Sequence, residues 1–405
     1  MNEAVRSPVA GAAAGGGSLE ILSRPDLKRL PRWLRAFAHL RKDHRYYEII
    51  EDTIEGFEYH YFGIKDASGA VRAIAPFFLL DQDMLQGSGD KVRAFADKIR
   101  GLWPRFLRMR TLMVGCTAGE GHLDTDDELS RHEQARILAD DIARHAKALK
   151  ASLIVFKEFP LRYRREMQPL LDAGFGRAPS FPMTELNIDF PDFEVYMKAM
   201  LTRKTRRDLR LKFRATDAAP PIALSVVTDV SPIIDEIYPL YLAVYERSIN
   251  RFEKLTKEYF CRLGHDMPDK TRFFIWRQEG RVIALSICML EGDALYAEYL
   301  GLDYSVALDL HLYHYAMRAT VSWGMENGYK WFRSSGLNYD PKYHLRAMLD
   351  PIDLYVRHTS NIANAVMRRV LPLIEPTRGD PILKKFANHA DLWTDPPEEP
   401  SRAPA

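Results

Sequence analysis

This 405-residue chain is poor in the residues that most often announce a chemistry. Its three cysteines, Cys116, Cys261 and Cys288, stand far apart. That spacing excludes a disulfide framework and a zinc ligand set, and it fits a reducing compartment. Gly-x-Ser-x-Gly and Cys–His nucleophile signatures are missing. No apolar run reaches the roughly 18 residues that cross a bilayer. Residues 10–17 are Ala/Gly-rich without the charged and long apolar regions of a signal peptide, so a cytoplasmic location is expected. A charge excess is missing as well: 57 Lys+Arg face 55 Asp+Glu, and net charge selects no partner. His311 and His314 have a metal-compatible spacing but no third ligand nearby, which favours a packing pair on a helix face.

What is present is a repeat. Length alone predicts two domains of roughly 150–200 residues. In the clearer copy, strands are expected at 272–278, 281–290 and 294–302, a helix at 308–327 and a strand at 330–334. The earlier copy has a hairpin at 59–65 and 71–80, a strand at 110–114, a helix at 132–150 and a strand at 153–158. Runs bounded by Gly and Asp are hairpin signals. The helix between 302 and 330 must cross from one strand to a parallel neighbour, which takes a dozen or more residues, and about twenty are present. Further helices are expected at 25–40, 45–51, 161–173, 193–201, 204–213, 231–247, 257–263, 359–374 and 382–390. A polar stretch at 81–90 leads into a basic amphipathic segment at 91–107.

Three segments stand out chemically. In the run 203–212, Arg203, Arg206, Arg207 and Arg210 share one helix face at i, i+3, i+4 and i+7. Four guanidiniums on one face repel unless an anion sits opposite, and Arg suits bidentate phosphate contact. No aromatic residues interleave with them, which argues against sequence-specific nucleic-acid reading. Ser305, Val306, Ala307 and Leu308 precede the second long helix, where unpaired N–H groups suit a pyrophosphate. The strand 294–300 carries Glu298, costly in an apolar strand unless paired, exposed or functional. Strict alternation puts Tyr296, Glu298 and Leu300 on one face and Ala297 and Tyr299 on the other. Glu298 is the expected base, and Tyr299 and Tyr343 are acid candidates. Lys342 is a candidate for a phosphate or a substrate carboxylate.

The order strand–strand–strand–loop–helix–strand, present twice, resembles the GNAT acyltransferase fold. With the basic helix 202–210, the segment 296–301 and the glycine-then-lysine segment 335–344, the chain resembles tandem-GNAT, FemAB-like predicted N-acyltransferases over about residues 20–358. The resemblance implies an α/β fold of two GNAT-like domains, each a mixed, mostly antiparallel sheet flanked by helices. Expected boundaries are a tail at 1–18, domains at 19–182 and 183–358, a helical extension at 359–395 and a tail at 396–405. The second domain would be the catalytic one, with substrate in the cleft between the two.

It further implies N-acyl transfer from a thioester or tRNA donor to an amine, of groups other than aminoacyl, with no permanently bound cofactor. Acyl-CoA or an acyl carrier protein thioester is the expected donor. Classical GNAT enzymes grip the coenzyme A pyrophosphate through an Arg/Gln-x-x-Gly-x-Gly/Ala loop. Residues 303–308 contain no glycine, and the glycine-rich 115–121 of the first copy has no basic counterpart. Donor identity therefore stays open among coenzyme A, acyl carrier protein and tRNA. The alternative is an inactive binding or scaffold protein. In the last long helix, Val366, Val370, Leu373 and Ile374 share a face beside Arg368 and Arg369. Packing on the second domain or a dimer partner is expected there, with peripheral membrane contact as the alternative.

Overall fold

The computed structural model describes residues 17–83, 108–124, 129–248 and 251–395. The expected basic segment 91–107, the tail 396–405, nearly all of the tail 1–18 and most of the polar stretch 81–90 lie outside the described residues. The strands, in chain order, are β1 (Ser18–Leu22), β2 (Glu58–Lys65), β3 (Val71–Asp83), β4 (Arg108–Val114), β5 (Leu153–Pro160), β6 (Gly176–Pro179) and β7 (Met183–Asn187). They continue with β8 (Ile222–Val227), β9 (Thr271–Gln278), β10 (Arg281–Glu291), β11 (Ala294–Leu302), β12 (Trp331–Ser334), β13 (Met348–Asp350) and β14 (Ile352–His358).

They form two seven-stranded sheets, ordered β1-β2-β3-β4-β5-β14-β6 and β13-β7-β12-β11-β10-β9-β8. Every pairing is antiparallel except β4–β5 and β11–β12. Those two parallel pairs are joined by the helices Arg131–Ala148 and Leu312–Glu326. The duplicated GNAT-like unit is thus present in both halves.

The chain does not divide at 358 as expected. β14 inserts between β5 and β6 of the first sheet, while β13, just before it, belongs to the second. The chain therefore crosses between sheets near 180 and returns near 351. The two crossings are tied together where Ser180 N–H donates to Ile352 O at 2.9 Å and Leu161 N–H to Pro351 O at 2.8 Å. Alternating hydrophobicity cannot tell which sheet a strand completes, so a boundary placed by sequence proximity misses the exchange of β14. The expected tail is also shortened, since β1 begins at Ser18 and pairs with β2.

Several expected helices are interrupted. The segment 25–40 is a helix only over Arg24–Arg29, followed by a short turn at Trp33–Arg35. Leu30 precedes Pro31 and takes an extended conformation (φ −84°, ψ 116°), because the proline ring disfavours the helical region for its predecessor. The segment 161–173 breaks at 164–167 into Leu161–Tyr163 and Gln168–Asp172, with Pro169 in the first turn of the second piece, and 382–390 reduces to short turns at Leu383–Lys385 and His389–Leu392. The helix expected at 308–327 begins only at Leu312.

A third core lies between the halves. Trp33, Phe37, Tyr46, Tyr47 and Ile50 of the first half pack with Tyr259, Phe260, Leu263, Met267 and Phe273 of the second. The helix His44–Thr53 lies against Lys257–Asp266. This shared apolar wall makes the boundary between the sheets a fixed environment for polar groups.

Candidate active site

The site is built on a defect in β11. Across β10, Ile287 faces Tyr299 and Cys288 faces Ala297, which leaves Glu298 as an extra residue. Such a β-bulge bends the strand and re-aims its side chains. Strict alternation, expected here, fails for that reason. Ala297 and Leu300 turn to the core under the second sheet, whereas Tyr299 joins the core between the halves. Glu298 also points to that side, where it meets residues of the first half. The parallel pairing with β12 ends at Ala297–Ser334, so the two strands part where the bulge begins.

Glu298 is tightly held. It accepts from Arg41 Nε at 2.6 Å and from Lys42 Nζ at 3.1 Å. Both cations also meet Glu120, Arg41 at 2.5 Å and Lys42 at 3.0 Å. The backbone N–H of Arg41 donates to Glu291 at 2.9 Å, and its guanidinium lies 3.6 Å from the centre of the Tyr296 ring. Arg41, Lys42 and Glu120 are buried. Burial works to raise the Glu120 carboxyl, but the charges of Arg41 and Lys42 outweigh it and hold it well below the usual range. Both oxygens of Glu298 are engaged by cations of the first half. Glu298 thus joins the halves, and the role of base expected for it does not suit this setting.

Tyr299, one residue on, has a different neighbour. Its hydroxyl donates to Glu253 Oε1 at 2.8 Å. Glu253 lies in the loop between the helices Ile234–Tyr245 and Lys257–Asp266 and is only partly buried. Burial pushes its carboxyl above the usual range, against the pull of nearby Lys157 and the Tyr299 hydrogen bond. Burial and the Glu253 charge push the Tyr299 hydroxyl well above its usual value. Phe252 fixes the loop against the first half by packing on Phe57 and Phe78, with ring centres 5.5 and 6.2 Å away. Lys157 Nζ lies 5.3 Å from the Phe252 ring and donates to Gly119 O at 3.0 Å and to Glu158 at 2.5 Å. Tyr46 OH and Tyr259 OH are 2.9 Å apart, and Tyr46 OH donates to Ala118 O. The result is a water-reachable carboxyl and a phenol in contact, walled by aromatic rings. An amine could lose a proton here and a leaving group could gain one.

The remaining expected residues are dispersed. Ser305, Val306, Ala307 and Leu308 do not form an open cradle. Asp303 Oδ1 accepts from Ser305 N–H at 2.9 Å, and the N–H groups of Val306 and Ala307 donate to Asp303 O. Asp303 also pairs with Arg281 at 2.7 Å. The donors expected to bind pyrophosphate are used internally beside a carboxylate, and Leu308 stands 77% exposed. Of the basic face, Arg206 donates to the carbonyls of Lys198 and Leu201, and Arg210 pairs with Glu194. Arg207 lies 3.6 Å from Asp208, and Arg203 is exposed.

Lys342 is buried and donates to Ser335 O at 2.5 Å and Leu337 O at 3.0 Å. Burial lowers it to about 7. Its ammonium braces the turn in which Leu337 (φ 73°) and Asn338 (φ 47°) are left-handed, in place of the expected anion. Tyr343 packs on Phe386 at 5.5 Å in a separate apolar cluster near the C-terminus. His314 is held by Lys212 at 2.7 Å and pushed to about 4 by burial and that charge, while His311 is the left-handed residue before the helix. Among the described residues no group of three His, Cys, Asp or Glu could hold a metal ion. No helix among them is long and apolar enough to cross a membrane.

In the first half the corresponding position is taken by chain. After β4 the loop 115–121 folds back, and Gly121 N–H donates to Glu158 O at 3.1 Å. Its glycines make room for protein atoms. A Cβ on Gly119 (φ +122°) would lie 1.9 Å from Lys42 Nζ, and one on Gly121 would lie 2.5 Å from the Phe159 ring.

Glu253, Arg41, Lys42 and Lys157 belong to no motif of the sequence, and Glu120 lies in the glycine-rich 115–121 without a local mark of its role. Asp43, a clear helix cap that accepts from Arg45 N–H, was the one signal near them.

No curated protein matches the sequence. Among solved structures, L-PGS from Bacillus licheniformis is 11% identical with a TM-score of 0.49, over 81% of this chain and 94% of that one. FemX is 12% identical at 0.47, over 76% and 90%. A tandem GNAT protein from the clavulanic acid biosynthesis pathway is 10% identical at 0.47, over 85% and 99%. Residues 94–337 match the FemAB-like family, described as peptidoglycan biosynthesis/recognition, and since that match spans more than half of the sequence the chain belongs to this family.

Proposed function

We propose that this FemAB-like protein is a transferase that moves an acyl-type group from an activated ester or thioester to an amine in the cleft between its halves. The observation that carries this reading is the Glu253–Tyr299 pair beside the β11 bulge. The Glu253 carboxylate takes a proton from the acceptor ammonium. The freed amine attacks the donor carbonyl carbon, forming the C–N bond, and the carbon–leaving-group bond breaks. Tyr299 gives its proton to the leaving group and regains one from Glu253 across their hydrogen bond. The second nitrogen proton passes through Glu253 to solvent, which balances the reaction. General acid–base help of this kind is worth about 10²–10⁴-fold in rate.

The family description supports the amine of a peptidoglycan precursor as acceptor. For the donor, the closed turn at 303–308 argues against a classical pyrophosphate grip. The exposed Arg203, Lys204 and Arg207 remain available to a phosphate-bearing carrier. The same closed turn favours a second reading, a binding protein without turnover.

The test offers acetyl-CoA, an acyl carrier protein thioester and alanyl-tRNA, each with labelled acyl groups and lysine-containing peptidoglycan precursors. Glu253→Gln and Tyr299→Phe should lose transfer at least 100-fold while keeping the parent's thermal midpoint. Parent-level transfer by Glu253→Gln would remove the base assignment. No transfer and no thermal shift with any donor would favour the binding protein.

A further inference from the structure

The helix Asn361–Ile374 has two unlike faces, only one of which packs on the rest of the described residues. Asn364, Met367 and Leu371 turn inward. Asn364 donates to Gly174 O at 2.9 Å, and Met367 and Leu371 join an apolar cluster with Val155, Val356 and Phe252. The helix therefore rests on β14 and β6 of the first sheet, instead of the second domain as expected. On the opposite side, Ile362, Val366, Val370 and Leu373 stand 83, 56, 39 and 80% exposed. Their spacing of 4, 4 and 3 residues makes one stripe along the helix. Isolated exposed aliphatics are ordinary, but a continuous stripe marks an interaction surface.

Charge identifies the occupant. The helix contains Arg368 and Arg369, both exposed, and no Asp or Glu. A second copy packed through this stripe would bring like charges together with no acid on either helix. An anionic surface meets both features at once. At 14 residues the helix is about 21 Å long, too short to cross a bilayer and suited to lying in its interface. Phe252, whose neighbour is Glu253, shares the apolar cluster with Met367 and Leu371.

We propose that Asn361–Ile374 is an interfacial anchor that lays its Ile362–Leu373 stripe into an anionic lipid surface, with Arg368 and Arg369 at the headgroups. The inference rests on this helix and is independent of the proposed transfer reaction. Flotation of the full chain with phosphatidylglycerol vesicles and with phosphatidylcholine vesicles tests it. The protein should float with the first and much less with the second. Ile362→Asp with Leu373→Asp should abolish flotation, while circular dichroism and the thermal midpoint stay as in the parent, since both side chains are exposed. Arg368→Gln and Arg369→Gln should each weaken partitioning about fivefold. Failure of the parent to float, or unchanged flotation of the double aspartate variant, overturns the proposal. A concentration-dependent dimer lost in that variant, without vesicle binding, would assign the stripe to a second copy instead.

Discussion

Replacing Glu298 by Gln separates a structural role from a catalytic one. In the parent, Glu298 takes hydrogen bonds from Arg41 Nε at 2.6 Å and Lys42 Nζ at 3.1 Å, and both cations are buried. Gln keeps one acceptor oxygen but turns an NH2 group toward the other cation, placing donor against donor. Removing one partner of a buried pair costs roughly 3–5 kcal/mol. Here Glu120 and Glu291 still balance the two cations, which moves the cost toward the loss of one charged hydrogen bond, about 1.5–3 kcal/mol. We therefore expect Glu298→Gln to lower the urea unfolding midpoint by the equivalent of about 2–3 kcal/mol at unchanged slope. Any change in transfer rate should follow the folded fraction. The reasoning fails if the variant keeps the parent's midpoint yet loses transfer at saturating folded protein. That result would return the base role to Glu298 and leave Glu253 as a neighbour.

Gly119→Ala places a methyl 1.9 Å from the buried Lys42 amine at a backbone φ of +122°, and Lys42, fixed by two carboxylates, has little room to move. Loss of about 3 kcal/mol or more is expected by chemical denaturation, and a change under 1 kcal/mol would refute the packing argument. Lys342→Met tests the buried ammonium. Its folded value of about 7 lies below the ordinary 10.5, so the unfolded chain binds more protons between those values. Parent stability should therefore rise relative to Lys342→Met as pH climbs from about 7 to 10.5, by at most about 5 kcal/mol, and stay flat below 7. A parent–variant difference that does not change with pH would refute it.

How much was legible depended on the range of the interaction. The hairpins, both long crossover helices and the duplication follow from local pattern, and the sequence reading located them. Local chemistry also explains one break, since Pro31 stops a segment whose apolar spacing alone looks helical, while Pro169 marks the first turn of a new helix. The bulge left no such mark. Residues 294–300 alternate well enough to read as a regular strand, and only the partner strand β10 reveals that Glu298 is supernumerary. That one-residue excess moves Tyr299 to the face of Glu298 and toward Glu253, 46 residues earlier in the chain. The Arg41–Glu298 contact joins residues 257 apart, beyond the reach of any motif.

The two halves differ in what fills the gap between their parallel strands. In both, a crossover helix leads to a strand that pairs in parallel over four residues, after which the strands part. In the first half the loop 115–121 occupies that gap. Gly121 bonds to Glu158, Lys157 holds Gly119, and Glu120 closes the charge cluster with Arg41 and Lys42. The glycine-rich loop is thereby committed to protein contacts. In the second half, the bulge sends Glu298 into that same cluster and Tyr299 to Glu253. The loop of the first copy thus forms part of the surface that meets the second. The glycines at 119 and 121 are the residues that permit it, because any side chain there would meet Lys42 or Phe159.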